Sequence, residues 1–268
     1  MFDLSGRIAL VTGGSRGLGR AMAEALARAG ADLALCGRTA TDLAAAAEAL
    51  RAATRRRVLG LPADVTRPDD VDRLAEAVLA EYGSVDILVN NVGAGIRKPL
   101  LEIALDEWER SLTVNLTSAF LCARRFVPGM LARGWGRVIN VASALGSIAL
   151  PERGPYCAAK GGLIQLTRVM ALEWATQGVT VNAICPGPFK TPYNLVLQQH
   201  PRLYESYLGL IPQHRWGELS EIGGAVVFLA SEEASFVTGS ALYVDGGWTA
   251  HGGLPEPGAA QLGDRSRE

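Results

Sequence analysis

The sequence predicts an α/β fold, a largely parallel sheet with helices on both faces. Three observations carry that reading. Short β-branched runs alternate with longer stretches of helical period, the first run breaks into a glycine-rich turn, and Val138-Ile139-Asn140-Val141-Ala142 has the nearly unbroken apolar character of a strand buried on both sides.

Arg7 to Thr12 is the first strand. It ends in Gly13-Gly14-Ser15-Arg16-Gly17-Leu18-Gly19 and passes into an Ala- and Leu-rich helix that stops near Gly30. Asp32 to Cys36, Val58 to Leu61 and Val85 to Val89 read as strands two to four, separated by helices over Thr41–Thr54 and Asp69–Tyr82. A long helical region follows from Asp106 to Arg133, with Pro128 placed to kink it. Residues 137–142 form strand five, a helix runs from Tyr156, and Val179 to Ile184 form strand six. Tyr193 to Gln213 shows no clean periodicity and, with the proline-rich stretch before it, reads as a segment covering a substrate, about 186–216. A helix over Glu218–Ala230 and a seventh strand over Ala241–Val244 complete one domain spanning 1–250. Residues 251–268 are Gly, Pro and charge, a tail with nothing to bury.

The 268 residues are 49% hydrophobic and carry a net charge of −1 with acids and bases intermingled, so a small ligand is expected rather than nucleic acid or a membrane surface. The start lacks the pattern of an export signal and no apolar run is long enough to span a bilayer, which predicts a cytoplasmic protein. Cys36, Cys122, Cys157 and Cys185 are far apart among apolar or small residues, and His200, His214 and His251 have no ligand spacing; no metal is expected.

The stretch from Val141 to Lys160 carries the chemistry. Tyr156 and Lys160 stand four apart on a helix and so share a face. A free phenol titrates near pH ~10, and a neighbouring ammonium favours the phenolate, which suits Tyr156 to proton transfer. Ser143 sits at the end of strand five, where open α/β sheets keep their ligands. Taken alone, a tyrosine four before a lysine is an ordinary surface pair. The chain has only three lysines, however, and uses arginine elsewhere. In the first turn, glycines let the backbone approach a pyrophosphate while the start of the next helix attracts its charge, so Gly13, Ser15, Arg16, Gly17, Leu18 and Gly19 are candidate contacts of a dinucleotide.

TGGSRGLG (12–19), Asp64, NNVG (90–93), Asn115, Ser143, Y-C-A-A-K (156–160), PGPFKT (186–191) and VDGG (244–247) stand in one order that resembles the short-chain dehydrogenase/reductase family over roughly Leu4 to Trp248. The resemblance implies a single Rossmann-type three-layer sandwich with a seven-stranded, mostly parallel sheet, assembled as a homotetramer. It implies ketone and alcohol interconversion with a nicotinamide cofactor. Tyr156 is then the proton donor and acceptor, Ser143 holds the substrate oxygen, Lys160 acts on Tyr156 and the nicotinamide ribose, and Asn115 holds a water connecting that lysine to solvent. By the same resemblance Asp64 and Val65 contact adenine, Asn91 and Gly93 line the adenosine side, and Pro186, Gly187, Phe189 and Thr191 border the nicotinamide. Val92 departs from the family's NNAG and adds two methyl groups beside that path.

An NAD site usually has an acid at the end of strand two. Here Gly37 holds the place, Arg38 follows, and Arg16 lies in the glycine loop, so two guanidinium groups are available for a 2′-phosphate and the expected cofactor is NADP(H). GAGIRKP (93–99), CPGPFKTPYN (185–194) and IPQHRWGE (211–218) are similar to the gluconate 5-dehydrogenase branch, which makes Arg97 or Lys98 a candidate to hold a substrate carboxylate, with Ser143 and Tyr156 on the reacting oxygen. A 3-oxoacyl-[acyl-carrier-protein] reductase and, in another class, a dinucleotide-binding regulator without activity remain alternatives. Leu145, Ile148 and Leu150, between Ser143 and Tyr156, are expected to form one wall of the substrate pocket, and their apolar character conflicts with a polar sugar acid.

Overall fold

The first strand, β1 (Ile8–Thr12), is buried along its whole length, and its residues divide between two cores. Ala9 and Val11 pack with Met22, Ala23 and Leu26, whereas Leu10 packs with Val71, Leu74 and Phe126. Neighbouring residues of a strand face opposite ways, so β1 is covered on both sides. The structure is a computed structural model that describes residues 1–195 and 200–250. The expected tail lies outside those residues, as do 196–199 of the expected covering segment.

β2 (Asp32–Gly37), β3 (Val58–Pro62), β4 (Ile87–Asn90), β5 (Gly136–Val141), β6 (Val179–Pro186) and β7 (Ala241–Val244) join β1 in one sheet ordered β3-β2-β1-β4-β5-β6-β7. Every pairing is parallel, including that of the seventh strand. The helices are α1 (Gly17–Arg28), α2 (Ala40–Thr54), α3 (Pro68–Tyr82), α4 (Leu105–Leu112), α5 (Ser118–Arg133), α6 (Gly154–Trp174), α7 (Pro192–Leu195), α8 (Pro201–Leu210) and α9 (Gly223–Ala230). Residues of α1, α2 and α9 fill the core on one face; residues of α3, α5 and α6 fill that on the other. Among the described residues no helix is long and apolar enough to cross a membrane.

The chain lays β1, β2 and β3 toward one edge, then returns to place β4 on the other side of β1. Connections therefore leave β1 and β4 in opposite directions, which opens a crevice at their C-terminal ends. Side chains knit the strand ends there: the Asn91 amide donates to Thr12 Oγ1 at 3.0 Å, and Asn91 Nδ2 donates to the carbonyls of Thr12 and Gly13 at 3.0 and 3.3 Å.

Three expectations are refined. The helical region 106–133 is interrupted by a π-turn at Thr113–Thr117. The helix expected over Glu218–Ala230 begins as a 3₁₀ turn, Leu219–Ile222, before α9. The stretch read as irregular contains α8, which opens on a proline at its first position, where the missing N–H costs nothing. Tyr204, Tyr207, Leu208 and Ile211 have helical spacing and pack together, a stripe obscured by prolines at both ends.

Candidate active site

Tyr156 and Lys160 lie on α6, and a buried polar chain ties that helix to the sheet. Asn90 Nδ2 donates to Asn140 Oδ1 at 2.9 Å, Asn140 Nδ2 donates to Thr167 Oγ1 at 2.9 Å, and Thr167 Oγ1 donates to the Leu163 carbonyl at 2.8 Å. Buried amides without partners are costly, so the chain favours one placement of α6 against β4 and β5. Ser143 follows β5 in extended conformation and caps the short turn Ala144–Gly146, its Oγ accepting from the Leu145 amide at 3.1 Å. That turn crosses α6 closely: a Cβ at Gly146 would stand 2.9 Å from the Lys160 carbonyl oxygen. Only glycine permits the approach, and it holds Ser143 over the part of α6 that carries Lys160.

Lys160 is 2% exposed, and its Nζ donates to the Val141 carbonyl at 2.7 Å and lies 5.9 Å from the centre of the Tyr156 ring. Burial lowers its pKa from 10.5 to about 8. The Cys185 thiol, itself pushed up to about 11 by burial, is neutral at pH 7 and offers the lysine no counter-charge. Between the folded and unfolded values the unfolded chain binds the extra proton, so the penalty for this lysine is complete below the folded pKa and fades as pH rises toward the unfolded one. Lys160→Met is therefore expected to raise the urea midpoint at pH 7, and the gain should shrink as pH passes through that window. A gain independent of pH would rule out charge burial as its cause.

Asn115 occupies the π-turn, a local distortion often found at functional sites. Its Nδ2 donates to the carbonyls of Ser111 and Ala94 at 2.9 and 2.8 Å, and its Oδ1 accepts from the Ala94 amide at 3.0 Å. A Cβ at Gly93 would lie 3.0 Å from Asn115 Oδ1 and 3.4 Å from Lys160 Nζ, so both groups press on Gly93. The fold thus gathers Asn115, Ser143, Tyr156 and Lys160 beside the C-terminal ends of β4 and β5.

The crevice between β1 and β4 adjoins this cluster. Arg16 precedes α1 without giving it a side-chain cap, leaving the first-turn N–H groups to face the helix start. Gly13 and Gly19 pack so closely that a Cβ on Gly19 would fall 2.2 Å from the Gly13 carbonyl oxygen. Leu18 packs partly on the core beneath, and Ser15 is half-buried in the loop. Arg38 is exposed and lies near Asp64. Burial works against ionisation of Asp64, but the Thr66 hydroxyl and amide, with Arg38 and Arg67, outweigh it and hold the carboxyl below its usual range. Val65 and Phe189 bury their side chains in the core. Pro186 ends β6, the Gly187 amide donates to the Val244 carbonyl at 3.0 Å, and Thr191 Cγ2 lies 4.0 Å from the Cβ position of Gly17, which brings the segment after β6 to the glycine loop.

The two substrate candidates separate. Lys98 is committed to Glu107 at 2.9 Å. Arg97 is exposed and donates to the Tyr207 hydroxyl on α8 at 3.3 Å. The wall of Leu145, Ile148 and Leu150 and the α8 residues Tyr204, Tyr207 and Leu208 pack against one buried cluster of Ala144, Ile211, Trp216 and Trp248, which joins α8 to the segment that follows Ser143. Sequence reasoning missed the Val141 and Ala94 backbones, whose chemistry no side chain announces. It also missed Tyr207, whose signal was the helical spacing just described, and Trp216, which lies beyond that helix and is brought to the same cluster by the fold.

A family described as Enoyl-(Acyl carrier protein) reductase matches residues 13–249, most of the chain and all of this site. The chain belongs to the short-chain dehydrogenase/reductase family. It is 36% identical to a 2-dehydro-3-deoxy-D-gluconate 5-dehydrogenase of Formosa agariphila, over 95% of this chain and 97% of that one. It is 38% identical to a gluconate 5-dehydrogenase of Gluconobacter oxydans, over 93% and 97%. A crystal structure of a gluconate 5-dehydrogenase from Burkholderia cenocepacia in complex with NADP and tartrate superposes with a TM-score of 0.90 at 36% identity, covering 93% of this chain and 98% of that one. This short-chain dehydrogenase/reductase is accordingly an oxidoreductase acting on CH–OH groups.

Proposed function

We propose that the enzyme interconverts a secondary alcohol and a ketone on a sugar acid, with NADP(H) as its cofactor. The observation that carries the chemistry is the gathering of Ser143, Tyr156, Lys160 and Asn115 next to a crevice built for a dinucleotide. The crevice fits that group: the uncapped start of α1 suits a pyrophosphate, and Arg16 and Arg38, neither ion-paired among the described residues, suit a 2′-phosphate where an acid would have repelled it. When bound, NADP(H) supplies or accepts the hydride. In reduction the Tyr156 hydroxyl donates its proton to the carbonyl oxygen that the Ser143 hydroxyl holds, and in oxidation Tyr156 takes the proton back. The ammonium of Lys160 favours the phenolate and binds the nicotinamide ribose. Asn115 positions a water through which Lys160 exchanges protons with solvent. Asp64, Val65, Asn91 and Gly93 bound the adenosine, and Pro186, Gly187, Phe189 and Thr191 the nicotinamide.

The substrate class is supported by the named relatives and by Arg97, which stands at the covering segment without an ion pair among the described residues, whereas Lys98 is held by Glu107. The test is initial-rate kinetics on keto-sugar acids, 3-oxoacyl thioesters and small cyclic ketones, with NADPH and NADH. Keto-sugar acids with NADPH should be preferred; preference for a thioester or for NADH would overturn the corresponding assignment. Arg97→Ala should raise KM about tenfold for an acidic sugar and leave a neutral ketone unchanged. Arg38→Asp should reverse the cofactor preference.

The same reading makes the enzyme a homotetramer in the cytoplasm. Leu101, Leu105, Val169 and Leu172 form exposed apolar positions around α4 and α6, and Phe236 is exposed near the β7 edge, two separate faces for two kinds of contact. All four cysteines are free thiols, as a reducing compartment keeps them. A monomeric mass by light scattering would exclude the tetramer.

A further inference from the structure

Trp216 is 1% exposed, yet its indole Nε1–H is buried and has no acceptor among the described residues. Most buried N–H groups find an acceptor, so one that does not needs an explanation. The surroundings of this ring are specific. Tyr204 and Tyr207 of α8 lie 5.2 and 5.8 Å from it, centre to centre, and Tyr207 is the residue that accepts from Arg97. Ala144, immediately after Ser143, belongs to the same buried cluster. On the backbone side, Gly217 pairs with the segment after β6, its amide donating to the Pro188 carbonyl and its carbonyl accepting from the Lys190 amide, both at 3.0 Å. Trp216 therefore stands where the wall after Ser143, the loop after β6 and the covering helix meet, and none of them supplies its acceptor.

We infer that Trp216 is a specificity-determining residue whose indole N–H donates to an oxygen of the substrate other than the one being reduced, a hydroxyl or carboxylate oxygen on the neighbouring carbons. This rests on the proposed polyoxygenated substrate and resolves the conflict with the apolar wall. Leu145, Ile148 and Leu150 exclude water, and a single donor inside that apolar shell discriminates strongly, because a substrate lacking the oxygen leaves the N–H unsatisfied.

The test is Trp216→Phe, which keeps an aromatic ring and removes the donor. Kinetics are measured on a keto-sugar acid, and on a small hydroxyketone paired with its deoxy counterpart. KM for the oxygenated ketones should rise about tenfold, with the deoxy ketone and NADPH affinity unchanged. Equal effects on both members of the pair, or none on either, would overturn the inference and leave Trp216 a packing residue. Should the parent enzyme ignore keto-sugar acids altogether, the substrate proposal fails while the hydroxyketone pair still decides the role of Trp216. If the variant does not fold, the parent enzyme is labelled with ¹⁵N-indole tryptophan, and the Trp216 signal is identified by elimination using Phe variants of Trp108, Trp135, Trp174 and Trp248. With NADP present, that signal should move on adding the hydroxylated alcohol and stay fixed with the deoxy alcohol. Identical responses to both would overturn the inference.

Discussion

Tyr156→Phe is expected to lower kcat for ketone reduction by about 10²- to 10⁴-fold, the range a positioned acid or base contributes. The substitution removes only the hydroxyl, and the ring that lies 5.9 Å from Lys160 Nζ remains. Lys160 keeps its bond to the Val141 carbonyl, and the turn carrying Ser143 keeps its seat on α6 through Gly146. NADPH affinity, read from fluorescence titration, should therefore be preserved. Lost turnover with intact binding identifies Tyr156 as the proton-transfer group; near-normal turnover would remove it from that role and with it the mechanism.

Gly19→Ala should act on the other half of the site and on the fold together. The new methyl would fall 2.2 Å from the Gly13 carbonyl oxygen and 2.5 Å from Asn91 Nδ2, the group that bridges the ends of β1 and β4. Neither is the loose end of a flexible side chain, so α1 must shift away from the turn. Overpacking of this kind costs roughly 1–3 kcal/mol, which corresponds to several degrees of melting temperature. The shift also moves the first-turn N–H groups, so NADPH binding should be lost even where the protein stays folded. Gly224→Ala is the control, because nothing lies within 4 Å of its added Cβ. A Gly19→Ala protein with normal melting and normal NADPH affinity would refute this account of the glycine turn.

Much of this architecture was legible because its causes are local. The alternation of apolar runs with helical stretches, and the glycine turn after the first run, depend on residues close together in sequence. Tyr156 and Lys160 were legible for the same reason, being one helical turn apart. What escaped was decided at long range. The π-turn is fastened by Asn115 bonding to the backbone of Ala94, 21 residues away, and no propensity near residue 115 encodes it. Arg97 and Lys98 look equivalent in sequence until Glu107, brought close by α4, claims one of them. Val65 and Phe189 bury their side chains in the core, a placement that only the folded sheet decides. The helix α8 was hidden because its stripe of Tyr204, Tyr207, Leu208 and Ile211 is short and bounded by prolines.

The position of β1 between β2 and β4 also governs how the chain assembles. Ile8 reaches its partner in Asp86 across 78 residues, so during synthesis β1 keeps one edge unpaired until the fourth strand has emerged. Non-local parallel pairing of this kind is slow, and an open edge in the meantime is a template for wrong partners. A nucleotide that bridges both halves of the crevice binds only the finished arrangement and draws the equilibrium toward it by mass action. The same junction that makes the site therefore couples maturation of the chain to the supply of its nucleotide.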